Sequence, residues 1–137
     1  MGIRKNIMIE KRPRGNLNPN SGAKARRKGH NFERLIRKRL LPLFPKCQTS
    51  RYASKKTDDN GIDFVGTYPF VIQAKHVERG VNPQKILSEM IIEKGDIPTL
   101  FHKKKGYRPI AVMWLDDWLE HTEKMIVEKI LTDYRNE

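Results

Sequence analysis

An α/β domain, a mixed central sheet flanked by helices, is the fold class the sequence predicts, and three patterns predict it. A helix-period apolar stripe opens the folded region. Two runs of β-forming residues then stand at hairpin spacing. A second helical segment next separates them from two further strand-like runs, and a helix linking earlier to later strands argues for a mixed sheet with helices on its faces. The chain has 137 residues. That fits one domain, long enough to bury about two-thirds of its unfolded surface.

The elements follow in order. Phe32, Leu35, Ile36, Leu40 and Leu43 recur at i, i+3, i+4 spacing and predict a helix from Asn31 with one buried stripe, limited by Pro42 and Pro45. Cys47 to Tyr52 reads as a short strand, and Ser54 to Gly61 as a polar loop closing on the turn signal Asp58-Asp59-Asn60-Gly61. Ile62 to Gly66 and Phe70 to Val77 read as a hairpin around Thr67-Tyr68-Pro69. Asn82-Pro83 is an N-cap with proline at the first helical position. Ile86, Leu87, Met90 and Ile91 form that helix's apolar face, and Gly95 stops it. Ile97 to His102 and Pro109 to Leu115 read as strands around the basic turn Lys103 to Arg108. Asp116 or Asp117 caps a last helix whose expected core side is Leu119, Ile126, Ile130 and Tyr134. Trp114 and Trp118 read as core or dimer contacts rather than base-stacking groups.

Charge narrows the function classes. Lys and Arg number 28 against 16 Asp and Glu, a net charge of +12. Such an excess favours a polyanionic partner, nucleic acid ahead of an anionic membrane surface. Residues 1–28 hold nine of the basic residues and the single acid Glu10, among prolines, glycines and asparagines. They read as a flexible basic arm, ahead of a folded domain at residues 29–137. A solubilising tail is the plain alternative for the arm, and phosphate contact the functional one. No apolar stripe accompanies its charge, so membrane attachment is not expected. Met1 to Gly15 lacks the apolar segment of a secretory signal, and the expected compartment is the cytoplasm, a host's for a viral chain. Cys47 is the one cysteine, and no Cys/His spacing suggests zinc.

Polar residues stand in three places where a sheet core should be apolar. Asp63 lies inside Gly61-Ile62-Asp63-Phe64-Val65-Gly66, and a buried acid there needs a partner or a cation. Gln73 and Lys75 interrupt Phe70 to Val77; strand geometry puts them on one face, about 6–7 Å apart. Glu33 flanks the first helix's stripe. Together they fit phosphodiester hydrolysis. A hard divalent ion takes one or two carboxylates and neutral oxygens, here Asp63, the side-chain oxygen of Gln73, the backbone carbonyl of Ala74 and, for a second ion or its water, Glu33. Lys75 would steady the nucleophile or the phosphoryl charge. Each residue also has an ordinary role: Glu33 pairing with Arg37 at i+4, Asp63 capping the Asn60-Gly61 turn, Lys75 simply solvated. By alternation His76 faces away from Gln73 and Lys75. Asp58 and Asp59 read as loop solvation, with Asp59 as the substitute ligand should the register differ.

Asp63, then Gln73-x-Lys75, with the preceding helical Glu33, resembles the PD-(D/E)xK nuclease superfamily. Within it, Arg27-Lys28-Gly29-His30-Asn31-Phe32-Glu33-Arg34 is similar to the Arg-Lys-Gly-x-x-x-Glu-Arg signature of archaeal and phage-type Holliday-junction resolvases. Ser50-Arg51 fits the Ser/Arg pair before the acidic loop, and Ser54 stands near the family's active-site serine. The superfamily usually carries Glu at the position of Gln73, although Mrr-like restriction nucleases have Gly-Ile-Asp and Gln-x-Lys strings much like those here. The resemblance implies a restriction-endonuclease-like fold. It implies a Mg²⁺-dependent endodeoxyribonuclease, Mn²⁺ substituting, that cuts four-way DNA junctions as a homodimer. Catalysis would fall to Glu33, Asp63, Gln73 and Lys75. DNA contact would fall to Arg26, Arg27, Lys28, Arg34, Arg51, Ser54, Lys55, Lys56, Lys103, Lys104 and Lys105. A Mrr-like nuclease, or a non-catalytic DNA-binding protein on the same fold, is the alternative.

The arm reading has a direct check. Deleting residues 1–28 should weaken DNA binding and shrink the log–log salt slope by about 0.9 for each phosphate the arm neutralises; an unchanged slope in a salt titration would make the arm only a tail.

Overall fold

The computed structural model describes residues 21–137. The chain is of mixed α/β class. In order it forms α1 (Ser21–Leu40), β1 (Gln48–Thr49), α2 (Ser50–Ala53), α3 (Lys55–Asp59), β2 (Phe64–Val65), β3 (Phe70–His76), α4 (Pro83–Glu89), β4 (Ile97–Lys103), β5 (Ile110–Val112) and α5 (Leu115–Asn136). Strands β3, β4 and β5 make one sheet, parallel between β3 and β4 and antiparallel between β4 and β5. Pro98 lies in the central strand opposite Val71, whereas the pairing with β5 starts only at Leu100. Strands β1 and β2 form a separate antiparallel pair. Among the described residues no helix is long and apolar enough to cross a membrane.

Two apolar clusters sandwich the larger sheet. On one face Phe32 and Ile36 of α1 bury against Ile72, Phe64 and Cys47, and burial raises the thiol pKa of Cys47, only partly offset by the charge of Arg37. On the other face Leu87 of α4 and Met90 bury against Leu100, with Val71 packed beside them. Alternation along β3 therefore holds, Ile72 and Ala74 meeting α1 and Val71 meeting α4. α4 starts as its sequence dictates, Asn82 Oδ1 accepting the Lys85 N–H at 3.1 Å with proline in the first turn.

The structure departs from the sequence expectations at several places. α1 begins at Ser21, so residues 21–28 of the expected arm are helical; residues 1–20 lie outside the described residues. A deletion that leaves α1 whole therefore ends at residue 20. The expected strand Cys47 to Tyr52 keeps two strand residues before turning into α2. Ser54 to Gly61 is not a loop: Ser54 caps α3, its Oγ accepting the Thr57 N–H at 3.3 Å. The hairpin of residues 62–66 and 70–77 has no ladder, because β2 pairs with β1 and a single backbone bond, from Asp63 just ahead of β2, reaches β3. Of the expected stripe on α1, Phe32 and Ile36 are buried, but Leu35 and Leu43 are exposed, and α5 buries none of its residues. Leu119, Ile126, Ile130 and Tyr134 thus face outward in the single chain, as do Trp114 and Trp118. α4 also ends at Glu89, ahead of the expected stop at Gly95, which sits with φ +92° in the turn that follows.

Gly66 fixes how the small strand pair meets the rest. Its φ is +78°, and a Cβ there would lie 2.5 Å from the Lys46 carbonyl oxygen. Gly80 has φ +77° but open space around it. Gly66→Ala should therefore lower stability by more than the roughly 1–3 kcal/mol of backbone strain alone, and by clearly more than Gly80→Ala, as read from urea unfolding midpoints.

Candidate active site

Asp63 precedes β2 and is bonded on three sides. Its N–H donates to Ile72 O at 2.9 Å, and its carbonyl accepts the Ser50 N–H at 2.8 Å. Its Oδ2 accepts the Ala74 N–H at 2.7 Å. The carboxylate thus takes the place a backbone acceptor would hold in a continuing ladder. In an extended strand a residue's N–H and C=O lie on the same edge, so the Ala74 carbonyl opens toward Asp63. Burial drives the carboxyl pKa up to about 6; the Ala74 N–H opposes the rise, the Glu33 charge adds to it, Lys75 opposes it, and Asp58 adds to it. Asp63 therefore makes a strand-edge contact and does not cap the Asn60-Gly61 turn.

Gln73 and Lys75 share the α4-facing side of β3, as period-2 alternation predicts. They line one cleft of about 310 Å³ with Gly61, Asp59 and Glu89. Gly61, at φ +76°, leaves room for the Gln73 amide, which would meet a Cβ there at 3.9 Å. His76 points the other way, its ring edge-on to Phe32 at 5.5 Å, so it packs as expected. Burial and the nearby Lys28 and Lys103 lower its pKa.

Glu33 does not pair with Arg37, which donates Nε to the Cys47 carbonyl at 3.1 Å. It accepts from Arg51 Nη2 at 2.7 Å, with its own side chain only 13% exposed. Arg51, expected on DNA phosphate, is an exposed residue whose guanidinium is paired with Glu33 of the same chain. Ser54, expected near the chemistry, spends its hydroxyl on the α3 cap. Ser50 is the serine at the site: its Oγ donates to Asp58 Oδ1 at 3.2 Å while its N–H holds the Asp63 carbonyl. Sequence reasoning assigns Asp58 to solvent. The signal that could have found it is the Ser54-x-x-Thr57 cap, which announces a helix able to turn Asp58 back onto Ser50.

The basic residues divide. Lys28 pairs with Glu78 at 2.7 Å. Glu78 also accepts the Lys105 N–H at 3.1 and 3.0 Å, and the Lys28 bond, then the Lys105 bond, holds its pKa below the usual range. Lys103 Nζ donates to the Tyr107 carbonyl at 2.8 Å. Lys24, Arg27 and Lys28 of α1 meet Lys103 along one shallow groove past His76. Arg26, Arg34, Lys55, Lys56 and Lys104 are exposed.

Among the described residues no three His, Cys, Asp or Glu side chains are grouped to hold a metal ion. An ion at Asp63 would therefore depend on neutral oxygens as well, and Gln73 Oε1 and the Ala74 carbonyl are the ones at hand. Comparison with protein-family profiles, curated proteins and solved structures gave no match.

The raised pKa of Asp63 fixes a sign. The carboxyl is near 3.8 in the unfolded chain and about 6 when folded. The folded state thus holds its proton to higher pH, and stability falls as pH rises through that window. Asparagine does not titrate and still offers Ala74 an acceptor. In chelator, Asp63→Asn should match the parent near pH 4 and exceed it by about 2 kcal/mol at pH 8. Equal denaturant midpoints at both pH values would place Asp63 in water.

Proposed function

We propose that the chain is a metal-dependent DNA endonuclease on the PD-(D/E)xK plan, with the restriction-endonuclease-like fold as its architecture and a four-way junction as its substrate. One constellation carries the reading: a partly buried Asp63 hooked to the edge of β3 by the Ala74 N–H, one strand carrying both Gln73 and Lys75, and Glu33 within reach of its charge.

The donor set fits a hard divalent ion. Asp63 Oδ1 is not used in the Ala74 bond, and Gln73 Oε1 and the Ala74 carbonyl are the neutral oxygens Mg²⁺ or Mn²⁺ accepts. When bound, the ion supplies Lewis-acid polarisation of the scissile phosphate. The protein's own groups do the rest. Asp63 gives the negative charge, and at pH values below about 6 a proton competes with the ion for it. Glu33, held by Arg51, is the carboxylate that would take a second ion or its bound water. The Lys75 ammonium balances the charge that builds on the phosphoryl oxygens as the bond to the nucleophile forms. Basic residues on α1 and at the end of β4 line one groove past His76, a surface suited to phosphates. Two symmetric nicks need two sites, and a homodimer supplies the second.

Gln73 removes the carboxylate usual at its position, and that favours a second reading, a DNA-binding protein on the same fold whose site no longer cuts. Nicking assays and gel shifts on a labelled four-way junction and on linear duplex, in Mg²⁺ or EDTA, separate the readings. Asp63→Ala and Lys75→Ala should each lose nicking by several orders of magnitude with at most a modest change in junction affinity. Gln73→Glu should keep activity and tighten Mn²⁺ binding. Preferential cutting of duplex would favour the Mrr-like nuclease. A parent that binds junctions but nicks nothing in either metal would leave the non-catalytic protein.

A further inference from the structure

α5 runs 22 residues without burying one of them. Nine of its large apolar side chains are exposed: Leu115, Trp118, Leu119, Met125, Ile126, Val127, Ile130, Leu131 and Tyr134. At 100° per residue, Leu115, Leu119, Ile126, Ile130 and Tyr134 fall within an arc of about 100°. The helix touches its own chain on the opposite side, where His121 packs edge-on against Phe70 at 5.2 Å. The five side chains of that arc are each about half exposed or more and offer on the order of 500 Å² of apolar surface, the size of the largest patch of a typical monomer. Two-fold pairing would cover that patch twice, which reaches the range of a standard interface.

A second apolar surface is also uncovered. Leu35, Leu40 and Leu43 near the end of α1, with Phe101 and Ile110 of the sheet, line a groove of about 300 Å³ that contains no residue of α5. Leu35, Leu43 and Ile110 are exposed there, and Arg39 stands on its rim. The two surfaces carry opposite charge. α1 has eight basic residues and one acid, while α5 has six acids and three basic residues. Their lengths agree, 20 and 22 residues, or roughly 30 and 33 Å of helix.

We propose that two copies of this chain exchange α5, the apolar stripe of each lying in the groove between α1 and β5 of the other, its acids against the partner's α1. Pairing α5 with α5 would set two acid-rich helices together, whereas the groove opposes them with Arg39 on its rim and with the other basic residues of α1 beside it. Two-fold symmetry makes the contact twice, once in each direction. The inference deepens the paired-site part of the function proposed above and rests on it only for its purpose. Its evidence is the two surfaces, and its test reads mass rather than cleavage.

Sedimentation equilibrium of the full chain should give a dimer. Ile126→Asp in α5 and Leu35→Asp in the groove should each weaken dimerisation at least 100-fold, with far-UV circular dichroism unchanged. Ile130→Glu replaces Ile126→Asp if that variant does not fold. Mixing the two variants is the decisive arm. A mixed dimer has one contact with both surfaces intact, so the mixture should dimerise more tightly than either variant alone. A parent that stays monomeric up to the highest concentration the centrifuge reads overturns the proposal. So does a Leu35→Asp variant that stays dimeric, or a mixture no tighter than its components, because either outcome puts the contact somewhere other than α5 in the groove. A parent dimer that rescues on mixing yet never nicks DNA upholds the interface and removes the nuclease reading.

Discussion

The edge of β3 between Ile72 and Ala74 sets how the small strand pair is tied to the main sheet. One neighbour of β3 is a full strand, β4, paired over its whole length. On the other edge stands a single residue, Asp63, which donates to Ile72 through its backbone and accepts from Ala74 through its side chain. These two bonds join the small strand pair to the main sheet. The short helices α2 and α3 hang from that joint, because Ser50 holds the Asp63 carbonyl with its N–H and Asp58 with its hydroxyl. An acid in this position is costly to bury, and the same cost makes it receptive to a cation.

Much of this is legible in the sequence where local chemistry decides. The Asn82-Pro83 start of α4 needs only a cap and a ring with fixed φ. The shared face of Gln73 and Lys75 follows from the strand period, as does the opposite orientation of His76. What stays hidden depends on contacts between distant segments. Lys55–Asp59 has no apolar period to announce a helix, and its cap residue Ser54 has the look of a site residue. Glu33 has a basic residue one turn away in Arg37, but the fold brings Arg51 nearer. Asp58 and Asp59 are alike in sequence and differ only in which of them α3 turns toward Ser50.

α5 shows a different limit. Periodicity reports that a face is apolar and says nothing of what covers it, so Leu119, Ile126 and Ile130 read as core whether the core belongs to one chain or two. The charge segregation between α1 and α5 is present in the composition but masked by the chain's net charge of +12. Averaged charge points to a polyanion, while charge taken element by element separates a basic helix from an acidic one. The same holds at finer scale for Glu78, which binds Lys28 and the Lys105 backbone and so holds two of the basic residues in place beside His76.

Pro98 bears on how the start of the central strand is left without a strand on one side. It lies ahead of the stretch that β5 pairs, and it is buried there. Ile97 donates its N–H to Pro69 on the β3 side, so the next residue along turns its backbone the other way. An ordinary residue at 98 would bury an N–H with no ladder partner, at the cost of a lost hydrogen bond. Proline has no N–H, so the sheet can stop short here with no orphaned donor.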